Sequence, residues 1–137
     1  MYLLANSTNI AIRRESLYIF TNLILTTQNA EVRMKCVSYQ NYLLIKLFVL
    51  GLTSINDANI ILEIVLSLEP LLELDKIYKL TGENCISFMF EAEGGIDKIE
   101  ELQKHPNASI YNAIEVLVTK YFGEDDQGVE DAGMAMS

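Results

Sequence analysis

The most constraining feature of this 137-residue chain is the apolar spacing that follows Asn107. Apolar side chains recur there at intervals of three and four residues, which is the spacing of one face of an α-helix. Pro106 disfavours helix just before it, and the Asn107 side chain can cap free backbone N–H groups. The predicted apolar face consists of Ile110, Ala113, Ile114, Leu117, Val118 and Tyr121. The sequence therefore predicts a long amphipathic helix with a well-marked start.

The beginning of this helix recurs twice upstream, as a weak internal repeat. Segments that start at Asn9, Asp57 and Asn107 align with spacings of about 48 to 50 residues. Each is a turn followed by a long helix, and each is preceded by a shorter helix. One such unit cannot bury its apolar face alone, so neighbouring units must stack. The predicted fold class is all-α, an α-solenoid of about two and a half repeats.

The remaining helices follow from the same apolar spacing. We predict them over residues 10–26, 30–37, 42–52, 58–74 and 84–93, with a turn over 53–57. Pro70 should kink or divide the fourth helix, because it has no backbone N–H to donate. Residues 76–80 should continue that helix as far as Gly82, and Gly94-Gly95 should form a turn. The inner face of the first helix is predicted as Ile12, Ser16, Ile19, Phe20 and Leu23.

The net charge of the chain limits the classes of partner that it can be expected to bind. The net charge is −9, with 19 acidic and ten basic residues, so a general nucleic-acid binder is not expected. An acidic surface favours basic partners, although ordinary solubility explains the charge equally well. The apolar run 42–52 is too short to cross a membrane, and no membrane partner is expected. Cys36 and Cys85 have no paired spacing and are interpreted as reduced core thiols.

No catalytic or cofactor pattern is present in the sequence. His105, the one histidine, lies at a predicted turn before Pro106 and is not placed beside a nucleophile. One histidine also cannot supply the imidazole ligands that a metal site usually needs. No glycine-rich phosphate-binding motif occurs. We therefore expect no enzyme activity, no metal and no cofactor. Residues 123–137 hold five acids, three glycines and no base, so we expect a disordered acidic tail.

One helix face has the composition of a peptide-binding surface. Glu15, Tyr18 and Asn22 lie at i, i+3 and i+7, beside the apolar face of their helix. An Asn side chain can pair with both the N–H and the C=O of a peptide backbone, and an aromatic ring can stack on a Lys or Arg stem. A carboxylate can then meet the ammonium group. The alternative is a Tyr and an Asn that merely occupy a solvated helix face.

Two stretches of the chain resemble the importin-α (karyopherin-α) family. The string EGGIDKIEELQKHPNASIYNAIEVLVTKYFGEDD is similar to the last armadillo repeat of that family, and RESLYIFTN (14–22) is similar to a repeat near its C-terminal, minor signal-binding site. The resemblance covers about 115 to 120 residues. It implies a right-handed armadillo superhelix over residues 1–122, followed by the tail. Tyr18 departs from the family, which has Trp there, and this should weaken stacking.

The resemblance also implies a function, that of a nuclear transport adaptor fragment that shuttles between nucleus and cytoplasm. Glu15, Tyr18 and Asn22 would form one rung of the minor site for basic nuclear-localisation-signal peptides, which this fragment alone should bind weakly. The C-terminal acids would dock an importin-β-class export receptor with Ran-GTP, and a nucleoporin; they are Asp97, Glu100, Glu101, Glu124, Asp125 and Asp126. The alternatives are a generic armadillo or HEAT scaffold and a truncated importin-α paralogue that carries no cargo. If the chain is complete, its exposed N-terminal face should cause self-association or instability.

Overall fold

The computed structural model describes residues 9–54 and 57–122, whose regular secondary structure is entirely helical. The α-helices are α1 (Ile10–Thr26), α2 (Ala30–Ser54), α3 (Ala58–Ile77), α4 (Ile86–Ala92), α5 (Gly95–Leu102) and α6 (Ala108–Leu117). A 3-10 turn, Gly82–Asn84, precedes α4, and a π-helical turn, Val118–Phe122, extends α6. The predicted acidic tail, residues 123–137, lies outside the described residues.

The three long helices α1, α3 and α6 begin in the same way. Asn9, Asp57 and Asn107 each have extended backbone angles, and each accepts a hydrogen bond from the backbone N–H two residues later, at 3.0, 2.9 and 2.9 Å. A side-chain oxygen at this position satisfies a backbone donor that the helix itself leaves free. The internal repeat is therefore present in three dimensions.

Each repeat after the first consists of two shorter helical segments and a long helix. In the first of them, α2 is broken at residues 39–42, where Gln40, Asn41 and Tyr42 have positive φ angles of 48°, 58° and 64°. In the second, the break between α4 and α5 falls at Gly94, with φ 87°. Glycine adopts this left-handed conformation without the steric cost that other residues incur. The order short, short, long is that of an armadillo unit, so the predicted armadillo-type α-solenoid is confirmed.

The central helix of the stack is α3, which packs against α1, α2, α4 and α6. Its buried residues occur almost all round the helix, as a flanked helix requires: Ile60, Ile61, Ile64, Val65, Ser67, Leu68, Leu71, Leu72 and Leu74. The helix continues through Pro70 to Ile77, so the expected division does not occur. The helix ends at Ile77, and Lys79 just beyond it has a φ of 53°. The predicted continuation over 76–80 is therefore too long by three residues.

The predicted inner face of α1 is partly wrong. Ser16 and Phe20 are buried, but Ile12, Ile19 and Leu23 are 40, 50 and 40 % exposed. The other buried side chains of α1 are Leu17, Thr21 and Ile24. This helix carries two apolar stripes, and only the one that faces α3 is covered among the described residues. The turn predicted over 53–57 is wrong for Thr53 and Ser54, which belong to α2, and residues 55–56 lie outside the described residues.

Candidate functional site

The polar face of α1 is open to solvent. Glu15 and Asn22 are exposed, whereas the ring of Tyr18 is half-buried and packs against the hydrophobic core. Asn22 is exposed, and its backbone carbonyl accepts a hydrogen bond from the Thr26 hydroxyl at 2.6 Å. An amide buried against a neighbouring helix would have argued against peptide recognition. The geometry keeps the predicted rung of Glu15, Tyr18 and Asn22 together on one accessible face.

Charged side chains of both signs act on the Tyr18 hydroxyl. Burial raises the pKa of Tyr18, and the nearby charges of Asp57 and Glu63 raise it further. The Arg14 guanidinium acts in the opposite direction; its Nη1 lies 3.1 Å from Asp57 Oδ2. Sequence reasoning missed Glu63, although it lies 48 residues after Glu15 and so occupies the equivalent position of the next repeat. The face around Tyr18 is thus more acidic than the sequence pattern alone suggested.

The equivalent positions on α3 and α6 lack an aromatic–amide pair. Leu66 and Pro70 replace Tyr18 and Asn22 on α3, and Val116 and Lys120 replace them in the last repeat. Leu66, Pro70 and Lys120 line one open cavity of about 440 Å³, which lies between α1, α3 and the π-helical turn. Its lining residues are Leu25, Arg33, Leu66, Glu69, Pro70, Glu73, Lys120 and Tyr121. Sequence reasoning did not find this cavity.

Two side chains from the π-helical turn contact the acids of α3 in this cavity. Lys120 Nζ lies 2.6 Å from Glu69 Oε2, and the Tyr121 hydroxyl donates to Glu73 Oε1 at 2.5 Å. The hydrogen bond from Lys120 to Glu69, together with the charge of that carboxylate, raises the pKa of the Lys120 ammonium. Burial raises the pKa of Tyr121, as does its hydrogen bond to Glu73. The cavity therefore already contains an ammonium group held by a carboxylate.

The predicted docking acids are only partly within the described residues. Asp97, Glu100 and Glu101 are exposed on α5, where Lys98 Nζ lies 3.4 Å from Glu101 Oε2. Together with Gln103 and Lys104, the three acids line a shallow depression of about 590 Å³. The other three acids, Glu124, Asp125 and Asp126, lie outside the described residues. The described part of the patch is an exposed acidic helix surface.

The remaining reactive side chains have structural contacts. His105 Nδ1 accepts a hydrogen bond from the Asn107 backbone N–H at 3.0 Å, which places the ring in the turn before α6. Cys36 and Cys85 are half-buried and form no disulfide with each other, and burial raises the pKa of both thiols. Among residues 9–54 and 57–122, no group of three or more His, Cys, Asp or Glu could hold a metal ion. Over the same residues, no helix is both long and apolar enough to cross a membrane.

Comparison with known proteins agrees with this architecture. A family model described as an atypical Arm repeat matches residues 84–136. Importin subunit alpha-3 of Caenorhabditis elegans is 38% identical over 56 residues, which is 39% of this chain and 11% of that protein. Importin subunit alpha-8 of Mus musculus is 39% identical over 79 residues, or 58% of this chain and 15% of that protein. The chain thus spans a small fraction of the relatives it matches.

These observations define the class of protein. The chain is an armadillo-type α-solenoid, an architecture that acts as a scaffold for binding other proteins. Within that class it is similar to importin-α subunits: both relatives are such subunits, and the atypical Arm repeat lies at its C-terminal end.

Proposed function

We propose that this chain is part of a nuclear transport adaptor of the importin-α type, which binds proteins and catalyses no reaction. Its cargo would be basic nuclear-localisation-signal peptides, and it would shuttle between nucleus and cytoplasm. The observation that carries this proposal is the open face of α1, where Glu15 and Asn22 are exposed beside the half-buried ring of Tyr18.

The chemistry of this face suits an extended basic peptide. The Asn22 amide would pair with a peptide backbone, and the Tyr18 ring would stack on the stem of a lysine. The carboxylates of Glu15 and Glu63 would then attract its ammonium group. One rung gives few contacts, so we expect weak binding that falls as salt concentration rises.

Substitution of the ring tests this assignment. Tyr18→Trp should tighten binding of a Lys-rich signal peptide by about twofold to fivefold, because Trp provides the best cation–π face. Tyr18→Ala should weaken binding, whereas Tyr111→Ala on α6 should have no effect. Fluorescence anisotropy with a labelled peptide measures all three, with circular dichroism to verify folding. Equal affinities for the Trp and Ala variants would contradict a role for this ring.

We further propose that the acidic surface of α5 docks an importin-β-class export receptor with Ran-GTP, and a nucleoporin. The triple variant in which Asp97, Glu100 and Glu101 are changed to Asn, Gln and Gln should bind the receptor at least several-fold more weakly at low salt. Removing residues 123–137 tests the contribution of Glu124, Asp125 and Asp126 in the same assay. A matched triple amide variant at Glu31, Glu83 and Glu115 controls for net charge. An equal loss of receptor binding in the two triple variants would mean that the acids of α5 act only through nonspecific electrostatics.

The outcomes also separate the alternatives. Receptor binding without any peptide binding would favour an importin-α paralogue that carries no cargo. Binding to neither partner by a folded chain would leave a generic armadillo scaffold. Self-association through the exposed stripe of Ile12, Ile19 and Leu23 is a separate proposal, which sedimentation of the Leu23→Glu variant would test.

A further inference from the structure

We propose that the cavity between α1, α3 and the π-helical turn is a second subsite of the same peptide track, and that it accepts a lysine side chain of the bound peptide. In the free chain, Lys120 occupies this subsite. The inference rests on the proposed function, because it extends the peptide beyond the rung of Tyr18 and Asn22.

The cavity has the two parts that a lysine side chain needs. Leu25, Leu66 and Pro70 provide an apolar wall for the methylene stem, and Glu69 provides the carboxylate for the ammonium group. The chain itself demonstrates the match, since Lys120 Nζ already lies 2.6 Å from Glu69 Oε2.

The internal ion pair is easily displaced. The side chains of Lys120 and Glu69 are 48% and 38% exposed, and exposed ion pairs contribute little to stability. When Lys120 leaves, the charged groups that remain in the lining are Glu69, Glu73 and Arg33, which sum to one net negative charge. Arg33 cannot take the vacated place, because Ile24 O and Thr27 O hold its guanidinium at 3.0 and 2.7 Å. An incoming ammonium group therefore replaces Lys120 at Glu69.

The position of the cavity sets the spacing within the peptide. Leu25 lies three residues beyond Asn22 on α1, about 4.5 Å along the helix axis. The neighbouring helix α3 provides Glu69 at an interaxial distance of about 8–10 Å. An extended chain covers about 3.3–3.6 Å per residue, so the rung and the cavity are about three residues apart. The preferred peptide has two lysines at positions i and i+3.

The test compares two Gly/Ser peptides, one with a single lysine and one with a second lysine three positions later. Titration of the ¹⁵N-labelled chain by NMR measures both the dissociation constants and the location of binding. The second lysine should tighten binding by about twofold to fivefold and shift the amide signals of Leu66 to Glu69 and of Leu71 to Glu73. The single-lysine peptide should shift mainly those around Tyr18 and Asn22.

Substitutions at the ion pair make the test specific. Lys120→Met should tighten binding of the two-lysine peptide by about twofold to fivefold, because the subsite is then vacant before the peptide arrives. Lys104→Met makes the same change in net charge in the turn after α5 and should have a much smaller effect. Glu69→Gln should abolish the advantage of the second lysine, whereas Glu115→Gln on the exposed side of α6 should preserve it.

The possible failures are distinguishable. If Tyr18 and Asn22 respond but the second lysine gives neither tighter binding nor shifts on α3, the subsite is overturned and the proposed function stands. Equal effects of Lys120→Met and Lys104→Met would also overturn the subsite. If neither peptide shifts the signals of Tyr18 and Asn22, the proposed peptide function is overturned as well.

Discussion

The helices α1 and α3 occupy equivalent places in successive repeats but have different surroundings. Leu23 and Leu71 are 48 residues apart, yet Leu23 is 40% exposed and Leu71 is fully buried. Ile12 and Ile60 differ in the same way, with 40% and 0% exposure. The difference arises because α3 has neighbours on both sides within the described residues, whereas α1 has a neighbour on one side. In a solenoid, the burial of a position depends on the adjacent repeat as much as on its own sequence.

The residues at equivalent positions on the open sides of the two helices differ as well. On α1, Tyr18 and Asn22 present an aromatic ring and an amide, while the equivalent Leu66 and Pro70 of α3 form an apolar wall. A peptide that crosses both helices would thus meet a backbone-binding rung first and a side-chain cavity next. The following substitutions test this contrast, from the largest expected effect to the smallest.

Substitution of the two equivalent leucines by alanine should give the largest difference in stability. Leu71→Ala should lower the free energy of unfolding by about 2–5 kcal/mol, because it opens a cavity in a fully packed site. Leu23→Ala should cost less than about 1 kcal/mol, since its side chain is already half in water. Chemical denaturation of both variants measures the difference. Similar losses would mean that another element covers the exposed stripe of α1 in solution.

Replacing the proline inside α3 should stabilise the protein. Pro70 cannot donate to the carbonyl four residues earlier, and a proline in a helix interior costs about 3 kcal/mol. Pro70→Ala should therefore raise the free energy of unfolding, by up to about 3 kcal/mol. Thermal unfolding monitored by circular dichroism measures this, with Ala113→Gly as a destabilising control on α6. A fall in stability would mean that the Pro70 ring makes packing contacts that outweigh the missing hydrogen bond.

Removal of the N-cap side chain should cost different amounts of stability in the two helices. Asn9→Ala should cost about 0.5–1 kcal/mol, because it removes the cap at the start of α1. Asp57→Ala should cost about 1–2 kcal/mol, since Asp57 caps α3 and also pairs with Arg14 of α1 at 3.1 Å. Urea denaturation at high salt should narrow the gap, because salt screens the ion pair. An equal cost for both caps would contradict a role for the Arg14 contact.

Alkaline pH should act on the contact between α3 and the C-terminal turn. Tyr121 holds its proton more tightly in the folded chain than in the unfolded chain, because burial and Glu73 raise its pKa. Its contribution to stability is complete below about pH 10, the ordinary pKa of tyrosine, and declines above it. Tyr121→Phe should make the loss of stability between pH 10 and about 12 shallower. Tyr111→Phe, at an exposed ring of α6, should retain the steeper loss.

Much of the fold could be predicted from the sequence, because its signals are local. The N-caps Asn9, Asp57 and Asn107 marked the starts of the long helices, and Thr26 ended α1 as predicted. The inner face of α1 could not be predicted in the same way. Two apolar stripes run along that helix, and which of them is covered depends on neighbours rather than on periodicity.

The shared helix face of Glu15, Tyr18 and Asn22 could be predicted, because that relation is fixed by spacing of three and four. Glu63 could have been predicted from the repeat offset. The cavity could not, since Lys120 and Glu69 are 51 residues apart and meet only through the packing of α6 on α3. The termination of α3 before Gly82 depended on Lys79 adopting a positive φ, which is uncommon for a residue with a Cβ.

The central claim is that the amide of Asn22 holds a peptide backbone on the open face of α1. The most direct test is the dissociation constant of a Lys-rich signal peptide for Asn22→Ala, measured beside Asn112→Ala, which removes an exposed amide from α6. Loss of the backbone hydrogen bonds should weaken binding to Asn22→Ala by about fivefold to tenfold, with Asn112→Ala unchanged. Equal affinities for the two variants would contradict the claim and leave an armadillo scaffold whose peptide site lies elsewhere.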